Sequence, residues 1–216
     1  ICRFKDYIYV GTYCDGEYYS TDGKTWTKSK ITGLGVLAYA SNDTTLVAAS
    51  DGLYYTTSSP ESWVKCSVGN GGNFHSVTYD KTNNKFYAVY YASNDDANLV
   101  YMSSDGINWS AVATSGVKGV VASNGKITLA FSNDENYTGP AEYSIDGGQT
   151  WSKVRGLSDE VSSNYVIYNE ENETWYASYI NNFNSVVYSK NGIDWQQLFE
   201  PTPTSFTGKT KLISTH

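Results

Sequence analysis

Arginine, histidine, methionine and cysteine are all scarce in this chain, and each shortage closes off a class of function. Among 216 residues the arginines are Arg3 and Arg155 alone, and acidic side chains outnumber basic ones 22 to 15, for a formal charge of −7. Nucleic-acid binding needs clustered Lys and Arg that displace counterions from phosphate, so no nucleic-acid partner is expected, nor attraction to an anionic membrane. The two histidines, His75 and His216, fall in an expected inner strand and at the terminus. With no Gly-x-Ser-x-Gly elbow to join them, they assemble no nucleophilic triad. Cys2, Cys14 and Cys66 are odd in number and lack zinc-site spacing, which argues against a disulfide framework or a thiolate metal site. They read as free thiols; a Cys2 to Cys14 bridge on successive strands is the alternative, and the expected hairpin register does not place the two opposite each other. No apolar run approaches the roughly 18 residues of a membrane-spanning helix, so no membrane insertion is expected. The chain opens on Ile1 without a charged-then-apolar leader and holds one methionine, Met102. It reads as a piece of a longer protein.

What the chain does have is tyrosine, tryptophan and turn residues: 20 Tyr, six Trp and 19 Gly. That is an all-β composition with frequent turns. Five times a short aromatic strand runs into a polar turn and then a tryptophan, at Trp26, Trp63, Trp109, Trp151 and Trp195. The intervals are 37, 46, 42 and 44 residues, the period of propeller blades and longer than leucine-rich or ankyrin units.

One unit shows the whole pattern. Strands are expected over 74–79, 85–91, 99–102 and 109–113, separated by turns at 81–84 and 105–106 and a longer loop at 94–98. The same frame fits the other units. The fold expected is therefore all-β, a single β-propeller of about five four-stranded antiparallel blades at 1–30, 34–67, 73–113, 118–155 and 163–199. Residues 206–216 read as a strand that closes the ring on the short first unit, and the competing reading is a piece of a six- or seven-bladed ring.

The turn before each tryptophan carries Asp22-Gly23, Asp105-Gly106, Asp146-Gly147 or Asn191-Gly192. Glycine accepts positive φ there, and Asp or Asn can bond the N–H groups of its own turn. Ser59-Pro60 breaks the rule, since proline cannot reach positive φ, and a different turn type is expected before Trp63. With these residues the chain resembles the Asp-box, or bacterial neuraminidase, repeat family, whose Ser-x-Asp-x-Gly-x-Thr-Trp pattern Ser144 to Trp151 matches in full. The turns ending at Trp26, Trp109 and Trp195 are one residue shorter, and the one at Trp63 is degenerate. The resemblance implies a structural role for Asp22, Asp105, Asp146, Asn191 and the five tryptophans, with the tryptophans packing between sheets and the ligand site on the opposite face. It is similar in style to repeats of bacteriophage tail proteins and bacterial surface adhesins, which implies recognition of a glycan or protein receptor at an extracellular or virion surface.

Sialidases of that family grip a substrate carboxylate with three arginines, and this chain has two, so sialidase activity is not expected. No catalytic residue is assigned. Another glycosidase or lyase would need two carboxylates about 5 to 10 Å apart, and nothing in the sequence singles out a pair. The stretches 94–96 and 133–135 offer oxygen ligands for calcium without EF-hand spacing, and no cofactor is otherwise implied. Loops between second and third strands differ far more in length than the Asp-Gly turns, and variable loops on a constant scaffold are where binding resides. They combine aromatics with amides and acids: Tyr13 with Asp15; Tyr91 with Asn94 and Asp95; Tyr137 with Asn133 and Asp134; Phe183 with Asn181 and Asn182. Aromatic faces cover sugar rings while amides and carboxylates match hydroxyl pairs, so neutral carbohydrate is the ligand this mixture suits. A spacer or assembly propeller without a small ligand is the remaining reading.

Overall fold

Apolar runs broken by Asp-Gly, Asn-Gly and polar turns fold here into twenty short strands. The computed structural model of the chain describes residues 1–31, 35–68, 73–91, 99–112, 114, 119–132, 139–159, 162–163, 165–179 and 185–198. The first sheet holds β1 (Cys2–Phe4), β2 (Tyr7–Gly11), β3 (Glu17–Ser20) and β4 (Thr27–Lys28). The second holds β5 (Ala38–Ser41), β6 (Leu46–Ala49), β7 (Leu53–Thr56) and β8 (Val64–Lys65). The third holds β9 (Asn73–Asp80), β10 (Lys85–Tyr91), β11 (Leu99–Ser103) and β12 (Ser110–Val112). The fourth holds β13 (Val120–Ser123), β14 (Thr128–Phe131), β15 (Glu142–Ser144) and β16 (Ser152–Lys153), and the fifth β17 (Val166–Asn169), β18 (Thr174–Tyr179), β19 (Ser185–Ser189) and β20 (Gln196–Gln197). In every sheet the four strands lie in chain order, each antiparallel to the next, as the sequence pattern predicts. The expected closing strand at 206–216 lies outside the described residues.

The first strands of neighbouring sheets approach one another: β1 lies near β5, β5 near β9, β9 near β13 and β13 near β17. The sheets therefore stand side by side as blades with their first strands innermost. The second strands of blades two and four are covered on both faces, so Leu46 to Ala49 and Thr128 to Phe131 are buried throughout, whereas in the first blade's second strand only Tyr9 is buried. A continuous apolar run, not an alternating one, is what such a position requires. Between blades two and three, Val47, Ala49 and Leu53 pack with Phe74, Phe86 and Ala88. Between blades four and five, Leu129 and Phe131 pack with Val166, Trp175, Ala177 and Val187.

The repeated tryptophans sit in these boundaries. Trp63 meets Tyr9 of the first blade edge-on at 5.9 Å, and Trp195 meets Phe131 of the fourth at 5.4 Å. Trp151 packs against Tyr87, Val89 and Val100 of the third, and Trp109 joins the cluster between blades two and three. Trp26 departs from the expectation of intersheet packing and is 38% exposed. The reason is positional, because each of the others covers the blade before it in the chain and no described blade precedes the first. All three cysteines are free thiols, Cys2 half-buried, Cys14 exposed and Cys66 buried. In the observed register Cys2 stands opposite Tyr9, which removes the Cys2 to Cys14 alternative.

Candidate functional site

The turns between third and fourth strands share one hydrogen-bond plan. Ser20 Oγ donates to Asp22 Oδ1 and accepts from the Gly23 N–H, both at 2.9 Å. Asp22 Oδ1 then accepts the N–H groups of Lys24 and Thr25, each at 2.8 Å. Ser103 and Asp105 repeat this with Gly106, Ile107 and Asn108. Ser144 and Asp146 do so across one extra glycine, so that Ser144 accepts from Gly148, and Gly147 and Gly148 both take positive φ. Asn191 supplies the same acceptor as an amide, bonding the N–H groups of Ile193 and Asp194.

A carboxylate receiving several donors is stabilised in its charged form. Backbone bonds from Thr25 and Lys24 hold Asp22 at about 2. Asp105 is opposed by partial burial yet also held at about 2 by Asn108, Ile107 and Ser103. Asp146 is held well below the usual range, first by the Thr150 hydroxyl. Before Trp63 the plan changes as expected: Thr56 Oγ1 donates to the Ser59 carbonyl at 2.8 Å, and the Ser62 N–H reaches the same oxygen at 3.1 Å. The indole N–H of Trp109, Trp151 and Trp195 donates to a turn glycine carbonyl at 3.0 to 3.2 Å, whereas buried Trp63 Nε1 has no partner among the described residues. Every polar atom of these turns that the plan uses is engaged in holding the hairpin.

At the other end of the blades, the proposed ligand loops are represented by few described side chains. Tyr13 is 81% exposed. Asp15, two residues on, is engaged within the fold: Tyr18 Oη donates to its Oδ2 and Lys28 Nζ to its Oδ1. The Lys28 and Tyr18 bonds pull its carboxyl below the ordinary value. Tyr91 ends β10, with its side chain outside the described set. Asn94, Asp95, Asn133, Asp134, Tyr137, Asn181, Asn182 and Phe183 lie outside the described residues, as do the two calcium-ligand stretches.

The same triad recurs in the second blade, where Tyr54 Oη donates to Asp51 Oδ1 at 2.9 Å and Lys65 Nζ lies 3.6 Å from Asp51 Oδ2. Lys28 and Lys65 each lie over the tyrosine ring, 5.8 and 5.3 Å from its centroid. Sequence reasoning missed this pair. Its signal was present as Asp15-Gly-Glu-Tyr-Tyr19 and Asp51-Gly-Leu-Tyr-Tyr55, each followed by a lysine two residues after the tryptophan.

A cleft of about 770 Å³ opens at the turn end, across the first three blades. Its wall is built from turns: Lys5 after β1, Asn42 to Thr45 between β5 and β6, Thr57 after β7, Tyr79 and Asn84 around the β9–β10 turn, and Ser104, Asp105 and Ile107 of the third Ser-x-Asp turn. Asn42 Oδ1 accepts the Thr44 and Thr45 N–H groups, and Asn84 Oδ1 accepts from Tyr79 Oη at 2.8 Å. Among the described residues neither amide nitrogen has a hydrogen-bond partner, and neither do the hydroxyls of Thr57 and Ser104. A recess of about 460 Å³ continues the cleft toward the innermost strands, adding Arg3, Phe4, Ser41 and Lys81 to Lys5, Asn42, Asp43 and Tyr79. The other arginine is committed elsewhere, Arg155 clamping Asp194 through Nε–Oδ1 at 2.6 Å and Nη2–Oδ2 at 2.9 Å. Among the described residues no three His, Cys, Asp or Glu side chains gather to hold a metal.

No family model matches the chain, and no curated protein matches it. Solved structures do. A GH74 enzyme from Niastella koreensis superposes with a TM-score of 0.65 at 17% identity, over 91% of this chain and 29% of its own. The GH74 xyloglucanase from Xanthomonas campestris gives 0.68 at 13%, over 94% and 37%. YCF48 bound to D1 peptide gives 0.58 at 12%, over 94% and 61%. This chain thus spans less than two thirds of each of them, and identities this low carry architecture and nothing further. Five four-stranded antiparallel sheets set around their first strands, together with these neighbours, make the fold a β-propeller.

Proposed function

We propose that this propeller is of the Asp-box type and serves as a non-catalytic module that binds a saccharide of a cell-surface receptor, as in a phage tail or an adhesin acting at an extracellular or virion surface. The observation that carries the reading is the cleft across blades one to three. Two amide nitrogens, two hydroxyls and the edge of Tyr79 are presented there, the polar atoms without a hydrogen-bond partner among the described residues. Such groups match the paired hydroxyls and apolar patches of a sugar. The exposed ring of Tyr13 at the opposite end offers a second aromatic face, on the loops where the sequence first pointed.

The likeness to two GH74 proteins favours a hydrolase as the alternative. A hydrolase needs one carboxyl kept protonated beside another that is ionised. In the cleft Asp105 is held ionised by its turn, and the described carboxyl that burial raises, Glu17, is sealed from solvent. Binding to an immobilised glycan array, followed by calorimetry on hits, tests the reading. The expected result is binding without cleavage of the bound glycan, weakened by Asn42→Ala and Ser104→Ala. Release of shorter saccharides would replace it with the hydrolase, and a tight protein partner with no glycan bound would replace it with an assembly role.

A further inference from the structure

Charge in the inner recess runs against the trend of the whole chain and of the outer cleft, where Lys5 stands with Asp43 and Asp105. The protein carries −7 overall, yet the inner recess is lined by Arg3, Lys5 and Lys81 with Asp43 as the one acid. Elsewhere five basic residues are ion-paired, Lys28 with Asp15, Lys30 with Glu61, Lys65 with Asp51, Lys153 with Asp159 and Arg155 with Asp194, while Lys85 and Lys190 donate to backbone or hydroxyl oxygens. Arg3 and Lys81 have no ion pair and no side-chain hydrogen bond among the described residues. Their cations face a concavity with their donors unused.

Lys5 is fixed between them by its own turn. Its ammonium donates to the Thr57 carbonyl and lies 5.4 Å from the centroid of the Phe4 ring. Its backbone sits at φ 52 in the tight turn between β1 and β2, a conformation for which glycine or asparagine is the ordinary choice. Asn84 and Glu173 take φ 49 and 50 in the corresponding turns of blades three and five, so this backbone belongs to the hairpin, and what Lys5 adds to the recess is its charge. The innermost-strand ends of blades one and three thus bring three positive charges to one recess, Arg3 and Lys5 from the first and Lys81 from the third. A planar guanidinium with five donors and two ammonium groups suit an oxyanion better than a neutral hydroxyl.

We infer that the recess takes an anionic substituent, so that the ligand of the cleft is an acidic saccharide bearing a carboxylate or sulfate; this rests on the saccharide-binding reading above. Arg3 and Lys81 hold the oxyanion, Lys5 contributes field from its fixed place, and Asn42, Thr57 and Ser104 receive the neighbouring sugar hydroxyls. Asp43 at the rim opposes approach by a second negative charge and limits the recess to one.

The test is calorimetry with three probes of equal length: galacturonic acid oligomers, sulfated galactan oligomers and unsubstituted galactan oligomers. The inference expects binding of one or both acidic probes, weaker at high salt, with about tenfold loss in Arg3→Ala and again in Lys81→Ala, the scale of one charge-assisted hydrogen bond. Whichever acidic probe binds identifies the anion as carboxylate or sulfate. Lys24→Ala removes the same charge from an exposed turn outside the cleft and is expected to change nothing. Neither Arg3 nor Lys81 has a side-chain hydrogen bond or ion pair among the described residues, so melting temperatures of both variants should stay close to the parent's. Equal binding of all three probes, unaffected by Arg3→Ala and Lys81→Ala, overturns the anion site and leaves the saccharide cleft standing. Binding of none of them, or of any other glycan on the array, overturns both.

Discussion

Replacing Glu17 by glutamine should change how stability depends on pH, and the sign is fixed by where this carboxyl sits. Glu17 begins β3 with no exposed surface. Its Oε1 accepts from Tyr39 Oη of the second blade at 2.8 Å, and its Oε2 has no partner. Burial raises its pKa above the ordinary 4.5, while Ser29, Tyr39 and Trp63 act in the opposite direction and do not prevail. An acid whose folded pKa is raised lends its full stability below the unfolded value and loses it as pH climbs through the folded value. Between those two pH values the wild-type protein should therefore lose about 1.4 kcal/mol per pH unit relative to Glu17→Gln, after which the difference levels off. The amide keeps the acceptor for Tyr39, but its NH₂ needs a partner in a dry site. A constant offset of about 1 to 3 kcal/mol against the variant is therefore expected at every pH. The slope, unlike the offset, reports the carboxyl alone. Urea unfolding followed by tryptophan fluorescence at several pH values from 4 to 8, taken as a difference between the two proteins, measures it. A wild-type advantage over Glu17→Gln that stays flat or grows as pH rises would refute the reasoning, because it would mean that the buried carboxyl ionises at least as readily in the fold as in the unfolded chain.

Three further outcomes follow from the turns and blade boundaries. Asp22, Asp105 and Asp194 are held at about 2 against an ordinary 3.8, Asp194 chiefly by Arg155. Their contribution is present above 3.8 and is lost as pH falls toward 2, so acid titration followed by circular dichroism should show unfolding in that window, the opposite trend to Glu17. Trp195→Ala should cost about 3 to 5 kcal/mol in chemical unfolding, since its side chain is 3% exposed against Phe131. Trp26→Ala, with no described blade to cover, should cost about 1 kcal/mol. Gly35→Ala would put a Cβ 2.0 Å from the Thr12 carbonyl oxygen at φ 85 and is expected to cost about 3 kcal/mol. Gly23→Ala, at φ 71 with its nearest contact at 3.7 Å, should cost about 1 kcal/mol in the same thermal melts.

Strand order and turn chemistry were legible because both are local. A blade is four successive strands joined by three hairpins, so alternation and Asp-Gly spacing specify each sheet without reference to distant residues, and Ser103 to Trp109 reads the same in the chain as in the fold. The Ser59-Pro60 exception was legible for the same reason, since proline's φ is fixed by its own ring. What escaped was whatever depends on neighbouring blades. Trp26 follows a turn of the same length and Ser-Gly-Trp spacing as Trp195 and has the opposite environment, because exposure is decided by the presence of a preceding sheet. Glu17 looked like one more polar residue beside a turn, yet it is closed in by Tyr39 from the next blade. The cleft is the extreme case. Arg3, Asn42, Tyr79, Lys81 and Ser104 come from three blades and mean nothing as a sequence pattern, and they meet only because first-strand ends converge on the axis. The unequal loops drew attention to one end of the propeller, since length variation is visible in a sequence. Convergence at the other end is not, because each contributing turn is short and ordinary when read alone. In a repeat fold, then, the regular elements announce themselves, while a site composed from one residue of each repeat is hidden by that regularity until the repeats are set side by side.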